Sequence, residues 1–206
     1  PDPGTCEIID GRGLYLSPGF IDLHNHGNSG YWAIDGTEEA LKTIAAFLLP
    51  RGVTGFLAST STAPAEDTIR AIRAAADFAD NQPAGVSQLL GIHLEGPFFS
   101  QEKKGAQRSE HISPIRMDVL REFVAAGRGW IRLVALAPEL AGAADAIVYL
   151  RENGITVAAG HTNATYAEAM QGIRNGITEA THMYNGMRNF GHREPGVIGA
   201  CMLDAR

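Results

Sequence analysis

Two histidines one residue apart follow a short apolar run, Gly19-Phe20-Ile21-Asp22-Leu23-His24-Asn25-His26-Gly27. Side chains alternate along a strand, so His24 and His26 project to the same side of its end. Two neutral imidazoles on one face supply half of a transition-metal site. Pro18-Gly19 and Gly27 mark the limits of the run. Three later apolar runs finish in the same manner: Gln88–Leu94 runs into Glu95, Gly154–Gly160 into His161, and Ile177–Thr181 into His182. One carboxylate with four imidazoles suits zinc, iron or a similar divalent ion. A single histidine in apolar surroundings is ordinarily structural. These differ because each falls at the carboxyl end of a strand-like run.

The elements that carry them alternate. Strands are expected at Phe20–His24, Val53–Ser59, Gln88–Leu94, Ile131–Ala137, Ile155–Ala159 and Ile177–Thr181. Helices are expected between them. Thr37 caps the first, with Glu38 and Glu39 set against its dipole, Leu41, Ile44, Ala45 and Leu48 on its apolar face, and Gly52 ending it. The others span Pro64–Ala79, Met117–Ala126, Ala141–Asn153 and Thr165–Asn175. Strands alternating with helices argue for parallel βαβ units. Six such units with no G-x-G-x-x-G turn favour an α/β fold of the (β/α)₈ TIM-barrel type over a dinucleotide-binding sheet. In a barrel the active site lies at the carboxyl ends of the strands, where all five donors fall. Six strands do not close an eight-stranded barrel, so residues 13–206 read as an incomplete barrel and residues 1–12 as the remnant of an N-terminal accessory segment. Ser100–Pro114 is a long polar loop after the third strand and a candidate active-site loop.

Composition narrows the function. With 206 residues, 45% of them hydrophobic, the chain can bury a sizeable core. Its formal charge of -6, with 17 basic residues scattered along it, offers no footprint for nucleic acid. No apolar run is long enough to span a membrane, and the first residues lack the order of a secretory signal. Cys6 and Cys201, far apart in sequence, make no disulfide framework, so a cytoplasmic location is expected.

Longer motifs add a resemblance. Pro18-Gly19-Phe20-Ile21-Asp22, Gly91-Ile92-His93-Leu94-Glu95-Gly96-Pro97-Phe98, Gly160-His161-Thr162-Asn163-Ala164-Thr165, Thr181-His182-Met183-Tyr184-Asn185 and Arg193-Glu194-Pro195-Gly196 resemble the N-acetylglucosamine-6-phosphate deacetylases of the amidohydrolase superfamily. The resemblance implies a metal-dependent barrel that hydrolyses the acetamide of N-acetylglucosamine 6-phosphate to glucosamine 6-phosphate and acetate. It implies that Glu95, His161 and His182 hold a principal divalent metal, zinc first with iron, manganese or cobalt as alternatives. His24 and His26 match a pair that binds a second ion in some members. Asn185 and the Gly186 backbone would contact substrate, and Arg193 would reach the phosphate bound in a neighbouring subunit, which implies a homodimer with shared sites.

Two departures stand out. The family's K-G-A-H loop reads Lys103-Lys104-Gly105-Ala106-Gln107 here, so the histidine that contacts the acetyl group is replaced by Gln107, a neutral donor placed as a possible oxyanion contact. The family's catalytic aspartate, on the last barrel strand, has no match, and Asp204 falls too early to be it. The general base is therefore expected to be missing from this chain, which would leave it inactive alone. Two other readings remain open: a different amidohydrolase acting on cyclic amides or aryl amides, and an inactive metal-binding scaffold. His93 shares strand parity with Glu95, which places it beside the metal rather than on it. Lys103 and Lys104 are weak candidates for attracting phosphate, and His111 and His192 read as loop histidines.

Overall fold

The computed structural model describes residues 9–204, so Cys6 and most of the expected accessory segment lie outside the described residues. The strands are β1 (Phe20–Asn25), a short antiparallel hairpin of β2 (Gly27–Asn28) and β3 (Tyr31–Trp32), β4 (Val53–Ser59), β5 (Gln88–Glu95), β6 (Ile131–Leu136), β7 (Thr156–Ala159) and β8 (Glu179–Ala180). The helices are α1 (Glu38–Leu48), α2 (Ala65–Asp80), α3 (Met117–Ala126), α4 (Ala143–Glu152), α5 (Tyr166–Asn175) and α6 (Gly196–Leu203). The main sheet runs β1-β4-β5-β6-β7-β8, and every neighbouring pair is parallel. Strand order follows chain order with no reversal. A doubly wound sheet reverses at its switch point, whereas a barrel does not. The sheet is thus an α/β arc of six parallel strands, an incomplete barrel of the expected type.

Strand parity divides the residues into two layers. Ile92, Leu94, Val134, Leu136 and Val157 pack outward into the core beneath the helices. Leu23, Leu57, His93, Leu133 and Ala158 line the concave inner face. On the outside, α1 buries Leu41, Ile44, Ala45 and Leu48, and Thr37 accepts the Ala40 N–H at 3.2 Å. That is the cap and the face its sequence dictates. Thr165 and Glu168 form a reciprocal capping box that starts α5 just after His161.

Five details differ from the sequence expectation. β8 has two residues rather than the five of Ile177–Thr181. The fourth helix begins at Ala143, because Gly142 in the left-handed region (φ 86°) still belongs to the preceding turn. The hairpin at Gly27–Trp32 is too short to show a period. The last helix, Gly196–Leu203, is apolar on nearly every side, with Val197, Ile198 and Ala200 buried, so no amphipathic stripe announces it. The loop after β5 is not featureless: short 3₁₀ turns occupy Gln101–Lys103 and Ser109–His111.

The α5 cap gives a direct check on this account. Thr165→Ala should lower stability by about 1 kcal/mol and Thr165→Ser by much less, read from the midpoint and slope of urea denaturation. Equal stability of the two variants would contradict the capping role.

Candidate metal centre

Glu95 is the last residue of β5, and only 2% of its side chain is exposed. His24 lies in β1 and His26 just beyond it, while His161 and His182 each follow a strand end by two residues, after β7 and β8. All four imidazoles turn their Nε2 atoms toward the Glu95 carboxylate. Oε1 lies 3.2 Å from His161, 3.1 Å from His182 and 3.4 Å from His24; Oε2 lies 3.0 Å from His26. The imidazoles also face one another, with Nε2–Nε2 distances of 3.0 Å for His24 and His26 and 3.1 Å for His161 and His182. The donors form two groups of three that share Glu95.

The other ring nitrogens decide what the Nε2 atoms are. His161 Nδ1 lies 3.0 Å from the Lys103 carbonyl oxygen, and His182 Nδ1 lies 3.0 Å from the Asn185 carbonyl oxygen. A carbonyl only accepts, so Nδ1 carries the proton in both rings, and in the neutral form Nε2 is a bare lone pair. Two lone pairs 3.1 Å apart, both facing a carboxylate, repel unless a cation lies between them. Ligands on one zinc ion, at about 2.0–2.2 Å each, stand about 3–3.5 Å apart. The observed separations match, so the residues fit a divalent metal.

Burial pushes the Glu95 carboxyl upward, but hydrogen bonds from the facing imidazoles in their protonated form, His161 and His182 first, outweigh it and hold the group far below the usual carboxylate range; with those rings neutral, a cation between them would take that role. Glu95 is therefore an anion, suited to facing a cation. His182 is raised, chiefly by Glu95. His93 is fully buried, edge-on to His24, with Nδ1 3.0 Å from the Ser59 hydroxyl. Burial, with the neighbouring imidazole of His24, pushes it down to about 3. It is neutral and belongs to neither three-donor group, as its strand parity suggests.

The backbone is strained where it presents two of the candidate donors. His161 and His182 both adopt positive φ, 46° and 34°. For non-glycine residues this costs about 1–3 kcal/mol each and persists only where the surroundings enforce it. Gly186 (φ 60°) passes close behind His161; a Cβ there would lie 2.9 Å from His161 Nδ1 and 3.2 Å from the Lys103 oxygen.

The remaining predicted residues fall as follows. The Asn185 side chain is exposed, and its carbonyl orients His182. Gly186 backs His161 and its carbonyl accepts from Thr162 N–H at 3.0 Å. Arg193 is exposed in the loop before α6, a loop held by Glu194, which accepts from the N–H groups of Tyr166 and Gly196. Gln107 is buried against Glu95 itself. Lys103 reaches the cluster through its carbonyl rather than its ammonium. His111 and His192 belong to neither three-donor group. Sequence reasoning gave no role to Ser59, Thr60, Ser61 and Thr62, yet this run braces the cluster. Ser59 meets His93, Thr60 Oγ1 accepts from Glu95 N–H, Ser61 Oγ lies 3.2 Å from His26 Nδ1, and the Thr62 N–H donates to Gln107. The available signal was position, since the run ends the strand between those of His24 and Glu95.

Fold and site together define an incomplete parallel barrel with a candidate divalent-metal centre at its strand ends. Residues 15–203 match the amidohydrolase family, and the chain belongs to that family. The family implies a divalent metal, and the His/Glu groups at the strand ends can bind one. Within the family, the chain is similar to the N-acetylglucosamine-6-phosphate deacetylase of Vibrio furnissii, 40% identical over 91% of this chain and 47% of that protein. It is also similar to the N-acetylgalactosamine-6-phosphate deacetylase of Escherichia coli O157:H7, 35% identical over 100% of this chain and 54% of that protein. The crystal structure of N-acetyl-D-glucosamine-6-phosphate deacetylase from Mycobacterium smegmatis superposes with a TM-score of 0.86 at 35% identity, covering 91% of this chain and 48% of that one. A mutant of that enzyme has been solved in complex with N-acetyl-D-glucosamine-6-phosphate, and matches with a TM-score of 0.84. The chain spans about half the length of these relatives.

Gly186→Ala should weaken divalent-metal affinity about 10–100-fold by wedging His161 away from the Lys103 carbonyl. Competition with a chromophoric chelator measures it; unchanged affinity would show that this hydrogen bond does not set the ligand.

Proposed function

We propose that the protein to which this chain belongs hydrolyses the acetamide of N-acetylglucosamine 6-phosphate, giving glucosamine 6-phosphate and acetate. The observation that carries the reading is the Glu95–His161–His182 cluster with both Nδ1 atoms tied to carbonyls. Together with the deacetylase likeness, it supports an amide hydrolase over a scaffold or a cyclic-amide enzyme. Glu95, His161 and His182 hold the principal ion, and His24 and His26 with the shared Glu95 provide for a second. Zinc is the first choice, because mixed imidazole and carboxylate donors at tetrahedral separations suit it, with iron, manganese or cobalt as alternatives.

A bound divalent ion supplies a water acidified to a pKa of about 7 and an electrophile for the acetyl carbonyl. This chain's residues do the rest of the positioning. The carbonyls of Lys103 and Asn185 keep the histidines in the ligating tautomer. Asn185 and Gly186, on the loop after β8, hold the sugar. Arg193, exposed on its own subunit, meets the phosphate bound by a neighbour, which makes the assembly a homodimer with shared sites. The proton acceptor is a carboxylate other than Glu95, and the resemblance puts it on the last barrel strand. A stabilising contact from Gln107 to the oxyanion would require its amide to leave Glu95. The reading treats residues 13–206 as barrel and 1–12 as part of an accessory segment, and it places the protein in the cytoplasm with its phosphorylated substrate. Among the described residues no helix is long and apolar enough to cross a membrane.

The test is acetate release by the full-length protein from N-acetylglucosamine 6-phosphate, its C4 epimer and the unphosphorylated sugar. The phosphorylated glucosamine derivative should be turned over fastest. Arg193→Ala should mainly raise KM, since a phosphate remote from the reacting bond contributes uniform binding. Equal rates on the phosphorylated and free sugars, or an Arg193→Ala effect confined to kcat, would count against the assignment.

A further inference from the structure

We propose that Gln107 is a positioning residue for the metal centre: it fixes the rotation of the Glu95 carboxylate and thereby the affinity of the cluster for its ion. The inference rests on the reading of Glu95 as a metal ligand. Gln107 Nε2 donates to Glu95 Oε2 at 2.8 Å, and Gln107 Oε1 accepts from the Thr62 backbone N–H at 2.8 Å. The two partners leave the amide one orientation. A backbone N–H only donates, so the oxygen faces Thr62; a carboxylate only accepts, so the NH₂ group faces Glu95. The side chain is buried, and its own N–H is tied to the Lys104 carbonyl at 2.9 Å. It therefore links the loop after β5 to the end of β4 across the carboxylate.

That link matters because the terminal torsion of a glutamate is broad and carries little preference of its own. Partners must set the carboxylate plane. The required plane is specific here: Oε1 has to face His161 and His182 while Oε2 faces His26. Gln107 holds Oε2 from the loop side, leaving Oε1 directed at the two histidines. A neutral amide does so without adding charge to the site and without offering a lone pair to the ion. Thr60 Oγ1, accepting from the Glu95 N–H at 3.3 Å, anchors the same residue from its backbone end. This role also explains why a glutamine can stand where the resemblance leads one to expect a histidine.

The experiment measures zinc affinity of the full-length protein by chelator competition, alongside the thermal midpoint of the metal-free protein. Gln107→Met keeps the length and removes both hydrogen bonds. Gln107→Asn keeps the amide but is one methylene too short to bridge Thr62 and Glu95, and serves if the methionine variant does not fold. Each folded variant should bind zinc about 10–100-fold more weakly, with the metal-free midpoint moving by only a few degrees. Glu95→Ala is the reference and should abolish tight binding. Zinc retained by Glu95→Ala would overturn the ligand reading and this inference with it. Zinc lost by Glu95→Ala but held at wild-type affinity by the Gln107 variants would overturn this inference alone.

Discussion

Glu95 carries a negative charge into a site where, apart from the Gln107 amide, every side chain that faces it is an imidazole. With Nδ1 of His161 and His182 committed to carbonyl oxygens, the inward nitrogens of the neutral rings are lone pairs, and lone pairs do not satisfy a buried carboxylate. Leaving a buried charge without a compensating partner is expensive, and a cation removes the conflict at once. Most of what is unusual in this half of the barrel follows from that constraint. The left-handed backbone at His161 and His182, the glycine behind His161, and the polar run closing β4 all hold donors in places they would not otherwise occupy.

The parallel arc makes the convergence possible. Adjacent parallel strands bring their carboxyl ends to one rim, so residues separated by 87 positions, His182 and Glu95, come within 3.1 Å. Each strand contributes little more than one residue, and the helices behind contribute rigidity through the outward layer of Ile92, Leu94, Val134 and Val157. The deep side chains beneath the rim, His93 with Ser59, lie under the candidate donors and stay uncharged. Loops supply orientation: the segment after β5 offers the Lys103 carbonyl to one histidine and the Gln107 amide to the carboxylate. Chemistry at the rim thus depends on main-chain groups as much as on the ligands, and alanine scanning of side chains alone would overlook them.

Much of this was legible in the sequence, for identifiable reasons. The five donors are visible because an apolar run that ends on a metal-ligating type of side chain leaves a mark, and four runs leave the same mark. The barrel class followed from alternation of elements and the absence of a phosphate-binding turn. What stayed hidden lacks a one-dimensional signature. The carbonyls of Lys103 and Asn185 belong to backbones whose side chains advertise something else, a cation and an amide. Positive φ at two histidines breaks no composition rule. The all-apolar helix Gly196–Leu203 has no stripe, and β8, expected at Ile177–Thr181, differs only in being shorter. Gln107 was legible as a departure but not as a partner of Glu95, because that contact depends on where a fifteen-residue loop, Ser100–Pro114, folds back.

The central claim is that the inward donors form a divalent-metal centre. Crystals of the full-length protein grown with zinc, with diffraction recorded on either side of the zinc absorption edge, test it most directly. The account predicts an anomalous peak about 2.0–2.2 Å from a Glu95 carboxylate oxygen and from the Nε2 atoms of His161 and His182, with any second peak at His24 and His26. An anomalous map with no peak at these strand ends, in crystals where zinc is bound elsewhere or not at all, would contradict it.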